Sequence, residues 1–197
     1  MSFLTRELIK GQRVILASQS PRRKELLSMI TDDFDVIPSE CEEVVPDGMA
    51  AEDIPLCLAE QKCRDVVNKC NGNALVIGSD TVVILDDIVL GKPKDKDDAF
   101  EMLRALSGRA HTVVSGLCTY YKGSYHISSG KAIVKFKPCT NEELWTYIAT
   151  GEPFDKAGAY GIQGLGGLLV DSIQGDYYSI VGLPVKKLAE EIYDILR

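Results

Sequence analysis

Three clusters of charged residues suggest a chemistry they could perform together. The first is LASQSPRRKELL, Leu16 to Leu27, where Ser20 and Pro21 open a helix and Arg22, Arg23 and Lys24 crowd its first turn. Cations there are disfavoured by about 0.3–1 kcal/mol each, because the helix dipole and its free N–H groups already present positive charge. A bound anion reverses that sign; a solvated basic patch partly neutralised by Glu25 accounts for the stretch equally well. The second cluster is acidic. Asp80, in VIGSDTVV, reads as lying just past the end of an apolar strand, where ligands of open α/β sheets collect. A turn aspartate bonding its own backbone is the other reading. ECEE, Glu40 to Glu43, likewise follows the run Phe34–Ile37. Carboxylates on neighbouring strand ends suit a hard cation such as Mg²⁺, which usually shares its ligands with a phosphate substrate, although solvated loop acids have the same composition. The third cluster is Lys62, Lys92 and Lys156, each alone an ordinary surface lysine. With Arg22 and Arg23 they could surround a triphosphate, arginine giving bidentate contacts and lysine point charges.

Other chemistries are excluded by inspection. The chain has no G-x-x-x-x-G-K-[ST] loop, no G-x-S-x-G elbow, no H-E-x-x-H and no G-x-G-x-x-G, since the glycines of GIQGLGGLL stop short of Leu169. Only His111 and His126 are present, too few for a histidine-rich metal site, and nothing places either beside a nucleophile. The six cysteines show no C-x-x-C spacing and read as free thiols. A net charge of −7 argues against binding a nucleic acid polymer, which needs a broad cationic surface, while leaving room for a pocket that takes one small anion. Charged residues at Arg6, Glu7, Lys10 and Arg13 interrupt any leader or membrane span at the start of the chain, so the expectation is a soluble, cytoplasmic protein of a reducing compartment.

These residues need a scaffold, and 197 residues with 45% apolar content suffice for a single α/β domain with a substantial core. Strands are predicted at Val14–Ala17, Phe34–Ile37, Leu75–Ile77, Val82–Leu85 and Ile88–Leu90, the last two joined by a tight Asp86-Asp87 hairpin, and then at Thr112–Tyr121 and Tyr125–Phe136. Helical spacing recurs through Ala59, Cys63, Val66, Val67 and Cys70, and again through Ala99, Met102, Leu103 and Leu106 before Ser107-Gly108. Thr140 and Glu143 form a capping box, and Pro184 opens a last helix with an apolar stripe. Hairpins among the strands make the sheet mixed rather than purely parallel.

The runs LASQSPRRKELL, SDTVV, GKPKD…AFEMLRALSGRAHTVVSG, EPFDKAGAYGIQGLGG and GDYYSIVGLP occur in that order from about Arg13 to Leu196 and closely resemble the Maf (septum-formation inhibitor) family. The resemblance implies an elongated, twisted mixed sheet with flanking helices in two lobes around a nucleotide cleft, similar to the inosine triphosphate pyrophosphatases, with residues 1–12 as an N-terminal extension. It implies a nucleoside triphosphate pyrophosphatase using Mg²⁺, Mn²⁺ or Co²⁺, and a homodimer. The DKAGAYGIQG form, with Gln163, is similar to the group acting on dTTP and UTP. The alternatives are a 7-methyl-GTP or inosine-type pyrophosphatase, or a nucleotide-binding regulator of cell division without turnover. Carried over by motif, Asp80 is the proton acceptor, with Lys62 and Lys92 as catalytic partners. Ser18, Ser20, Arg22, Arg23, Thr81, Lys156 and Gln163 are implied to bind substrate, and Glu42, Glu43 and Asp80 to hold the metal.

Overall fold

The computed structural model describes residues 2–72 and 74–197. In chain order the elements are α1 (Ser2–Leu8), β1 (Val14–Leu16), α2 (Pro21–Ser28), β2 (Asp35–Val36), α3 (Ile54–Lys69), β3 (Leu75–Leu85) and β4 (Ile88–Leu90). They continue as α4 (Lys96–Leu106), β5 (Ala110–Tyr121), β6 (Ser124–Phe136), α5 (Asn141–Ala149), β7 (Val170–Gly175), α6 (Tyr177–Val181) and α7 (Val185–Leu196). One mixed sheet has the strand order β2-β1-β3-β5-β6-β7, with β4 paired to β3. This is the mixed α/β architecture expected from the hairpins. The chain divides into two compact units, residues 1–80 with 115–130 and 182–197, and residues 81–114 with 131–181.

The first unit is built on parallel pairing. β1 lies beside β2 through Ile15↔Asp35 and Leu16↔Val36, and beside β3 through Val14↔Leu75 to Leu16↔Ile77. Parallel neighbours need crossover connections, which α2 and α3 supply. Helix α3 buries Ala59, Cys63, Val66, Val67 and Cys70 against Ile15, Val76 and Cys118, as its spacing predicts. Residues of the N-terminal extension belong to this unit: α1 packs on α7, the Thr5 hydroxyl donates to the Ala189 carbonyl at 2.9 Å, and Arg6 reaches the Met29 carbonyl at 2.9 Å.

In the second unit, β4 returns along β3 through Val83↔Leu90 to Leu85↔Ile88. Both turn residues, Asp86 and Asp87, have positive φ (50° and 63°), the conformation a two-residue hairpin requires and one that aspartate tolerates. Strand β7 pairs antiparallel with β6, Ala132↔Gly175 to Phe136↔Val170. It was not predicted, because VDSIQG has only two large apolar residues and follows a glycine run. The capping box at Thr140 forms with both its bonds, at 2.8 and 3.2 Å. No helix among the described residues is long and apolar enough to cross a membrane.

His111 sits in the core of the second unit, 3% exposed, edge-on to Phe136 and Tyr160, with Nε2 at 2.9 Å from the Tyr160 hydroxyl and Nδ1 without a partner. Burial pushes its pKa from an ordinary 6.5 down to about 4. The unfolded chain therefore binds the extra proton first as pH falls, so this contribution to stability is complete above about pH 6.5 and is lost toward pH 4. Between pH 7 and pH 5 the loss should approach about 2 kcal/mol. Urea unfolding at the two pH values should show a smaller difference for His111→Phe than for the parent chain, and equal differences would remove His111 as the cause.

Candidate active site

Asp80 is not past a strand end, as its sequence context suggests, but within β3, which runs unbroken from Leu75 to Leu85. The Gly78-Ser79-Asp80 step looks like a break because it interrupts an apolar run. It continues as strand, with the polar Ser79 accommodated in the interior: its buried hydroxyl lies 2.8 Å from the Gly116 carbonyl and 3.0 Å from that of Gly182. What ends near Asp80 is the neighbour: the β1 ladder closes with the Ala17 amide donating to Ile77 at 2.8 Å. Asp80 thus stands just beyond the carboxyl end of β1, where Ser18 and helix α2 begin.

Helix α3 meets β3 closely at this level. A Cβ on Gly78 would lie 2.4 Å from the Ala59 carbonyl and 2.9 Å from the Cys63 Cβ, so glycine is needed for the approach. One residue before Cys63, Lys62 extends its ammonium to Asp80 Oδ1 at 2.5 Å and to Glu43 Oε1 at 2.9 Å. The Lys62 and Asp80 side chains are each 14% exposed and Glu43 is 50% exposed. Of the two glutamates of the acidic loop, Glu43 makes the ion pair and Glu42 lies exposed.

The start of α2 completes the cluster. Ser20 caps the helix by accepting from the Arg23 amide at 3.4 Å, as Ser-Pro predicts. Arg23 folds back rather than outward: its Nε donates to the Gly182 carbonyl at 2.9 Å and one terminal nitrogen to Ser18 Oγ at 3.2 Å. The Gly182 carbonyl is therefore shared by Arg23 and Ser79. Burial lowers the Arg23 pKa from its ordinary value, the charges of Asp80 and Glu43 oppose that shift, and Arg22 adds to it. Arg23 and Lys62 thus stand near Asp80 and Glu43, two cations with two carboxylates within one unit.

The other predicted residues lie in the second unit. Thr81 follows Asp80 on β3, and Lys92, exposed, follows β4. Lys156 is engaged by its own segment, with the Glu152 carbonyl at 2.7 Å and Asp155 Oδ1 at 2.5 Å. Gln163 is exposed on the glycine-rich loop. That loop is held by Glu152, which accepts from the Leu165 amide at 2.8 Å, the Gly166 amide at 3.0 Å and the Tyr147 hydroxyl at 3.0 Å. Burial alone would raise the Glu152 pKa, but the Gly166 and Leu165 amides, the Tyr147 hydroxyl and the Lys156 charge together outweigh it and leave the pKa below its ordinary value. Sequence reading missed Glu152, although it stands in the quoted EPFDKAGAYGIQG, and missed Ser79 beside Asp80.

Of the predicted metal ligands, Glu43 and Asp80 meet at the Lys62 ammonium and Glu42 lies exposed; among the described residues there is no group of three or more His, Cys, Asp or Glu side chains that could hold an ion. Two oxygen donors of this kind fit a hard cation that arrives with a phosphate and keeps several waters, rather than an ion caged by protein ligands.

Residues 13–195 match the family described as Maf-like protein. A dTTP/UTP pyrophosphatase of Thermococcus kodakarensis is 46% identical over 190 residues, covering 93% of this chain and 98% of the relative. One of Bacillus cereus is 45% identical, covering 92% and 94%. Among solved structures, the Ham1 protein of Staphylococcus aureus aligns with a TM-score of 0.45 at 17% identity, over 64% of this chain and 72% of that one.

The Gly78 approach makes a specific demand. Gly78→Ala should lower stability by about 1–3 kcal/mol through overpacking against a backbone carbonyl. Because Lys62 is carried on the displaced helix, turnover should also fall, whereas a thermal melt and activity both at parent values would show that the helix approach is not tight.

Proposed function

The chain belongs to the Maf family, and on that premise we propose that it hydrolyses dTTP and UTP to the nucleoside monophosphate and pyrophosphate, as a house-cleaning pyrophosphatase. The observation that carries the reading is the Glu43–Lys62–Asp80 ion cluster beside Arg23, in a chain 46% identical to a dTTP/UTP pyrophosphatase over nearly its whole length. A carboxylate such as Asp80 can only accept hydrogen bonds. With one oxygen committed to Lys62, the carboxylate is oriented to take a proton from a water attacking the α-phosphorus. No covalent intermediate is required.

The leaving pyrophosphate gains negative charge as its bond to the α-phosphorus breaks, and fixed cations stabilise that charge most when they are already in place. Arg23 is pre-positioned by Gly182 and Ser18, and Arg22 is assigned to the phosphates beside it. Lys92 and Lys156 are proposed to add positive charge, and Thr81 a hydroxyl. A divalent cation, when bound, would neutralise phosphate charge and lower the pKa of a water. Asp80 and Glu43 are the residues to hold it together with the substrate.

Gln163 is proposed to read the base, because its amide both donates and accepts and so complements O4 and N3–H of uracil or thymine. A carboxylate at that position could only accept.

Incubation of the chain with Mg²⁺ and dTTP, UTP, CTP or GTP should release pyrophosphate from dTTP and UTP in preference to the others. Orthophosphate as the product would overturn the assigned bond, and preference for a purine would overturn the pyrimidine reading. Absence of turnover on every triphosphate, with binding retained, would leave the regulator reading standing. Asp80→Asn should lower kcat by about 10²–10⁴-fold, as expected for loss of a general base, and should also lower the thermal melt, because it leaves the buried Lys62 ammonium without its shortest ion pair; parent activity below that melt would move the base elsewhere.

A further inference from the structure

The loop that carries Glu43 has no regular structure of its own between β2 and α3 apart from turns. Its course is set by side chains of α3. Cys57, Gln61, Asp65 and Lys69 recur every four residues and so form one stripe along the helix. Each touches the loop, and the order of contacts runs opposite to the helix. Lys69 reaches the Pro38 carbonyl at 3.4 Å and Glu40 at 2.9 Å. Asp65 accepts from the Ser39 hydroxyl at 3.1 Å and the Glu40 amide at 2.8 Å.

Gln61 makes the most specific of these contacts. Its Oε1 accepts from the Val44 amide at 3.0 Å, and its Nε2 donates to the Val44 carbonyl at 2.6 Å and to Cys57 Sγ at 3.1 Å. A backbone N–H can only donate and a carbonyl can only accept, so this double contact fixes which way the amide points. The side chain pairs with Val44 as a neighbouring strand would. Val44 follows Glu43 and Gln61 precedes Lys62, so a clamp between one pair of residues sets the other pair opposite each other.

We propose that Gln61 is a positioning residue: by clamping the backbone of Val44 it holds the Glu43 carboxylate on Lys62 and beside Asp80. Glu43 needs such a device. Its side chain is half exposed, and a salt bridge of that kind alone fixes little, because water screens it and holding two long side chains in one geometry costs entropy. The bidentate amide contact supplies the geometry that the ion pair lacks. The functional half of this proposal rests on the reading of Glu43 given above; the clamp itself does not.

Two measurements separate these halves. In Gln61→Ala, the Val44 amide should exchange its hydrogen about tenfold faster or more, while amides in the α3 core stay protected. Unchanged exchange at Val44 would overturn the clamp whatever the activity. On dTTP with Mg²⁺, Gln61→Ala should lower kcat/KM about tenfold or more. The double variant with Glu43→Gln should be no worse than Glu43→Gln alone, since the clamp acts only through Glu43. Additive losses would overturn the positioning role and leave Gln61 as a helix-stability residue. Gln61→Glu sets a second acceptor against the Val44 carbonyl in place of the donor, so Val44 exchange should be at least as fast as in Gln61→Ala, and parental exchange in this variant would also overturn the clamp. If Glu43→Gln alone leaves turnover unchanged, the assigned role of Glu43 fails, and Val44 exchange still decides the clamp.

Discussion

The ammonium of Lys62 lies between two carboxylates of unequal burial, and the site is organised around that inequality. With Asp80 both side chains are largely out of water, so neither charge can lose the other cheaply; removing one partner of a buried pair costs about 3–5 kcal/mol. With Glu43 the carboxylate is half in water and the bond is correspondingly weak. Lys62 and Asp80 therefore behave as one fixed element, and Glu43 as a partner held less tightly.

Much of this follows from helix α3. Ala59, Cys63, Val66, Val67 and Cys70 bind it into the core, and the stripe from Cys57 to Lys69 reads the acidic loop. Lys62 projects from the boundary between those two faces, so that the same rigid rod delivers it to the strand and brings the loop to it. The close approach that makes this reach possible depends on the missing side chain of Gly78 and on a second glycine, Gly116, where a Cβ would lie 2.0 Å from the Pro55 carbonyl. A longer separation between helix and sheet would leave the ammonium short of Asp80.

The helices were legible in the sequence where periodicity and caps agreed, as in α3, α4 and α5, and the Asp86-Asp87 hairpin followed from turn chemistry. The residue types of the site were legible too, but their grouping was not. Lys62 and Asp80 are 18 positions apart, and nothing in either segment says that one ammonium bonds both Asp80 and Glu43. The β3 strand was read as two pieces because Gly78-Ser79-Asp80 breaks an apolar run. The carbonyls that let the Ser79 hydroxyl be buried there belong to Gly116 and Gly182, 37 and 103 residues away, and local pattern cannot contain them. Strand β7 and the docked α1 were missed for a related reason: both are held by partners distant in sequence rather than by propensity of their own.

Consecutive arginines at the start of α2 illustrate how the fold gives similar residues different work. Successive positions on a helix point about 100° apart, so Arg22 and Arg23 cannot share an environment. Arg23 turns to the Gly182 carbonyl and Ser18, and Gly182 also serves Ser79, the neighbour of Asp80. One carbonyl thus ties a cation of the helix start to the strand that carries the acid. Of the three basic residues that place unfavourable charge at this helix N-terminus, Arg23 is fixed by these two contacts, and the charges of Asp80 and Glu43 oppose the effect of its burial. A helix start that would be a defect in an ordinary surface helix is here braced from the far end of the chain and compensated by the acids of the neighbouring strand and loop.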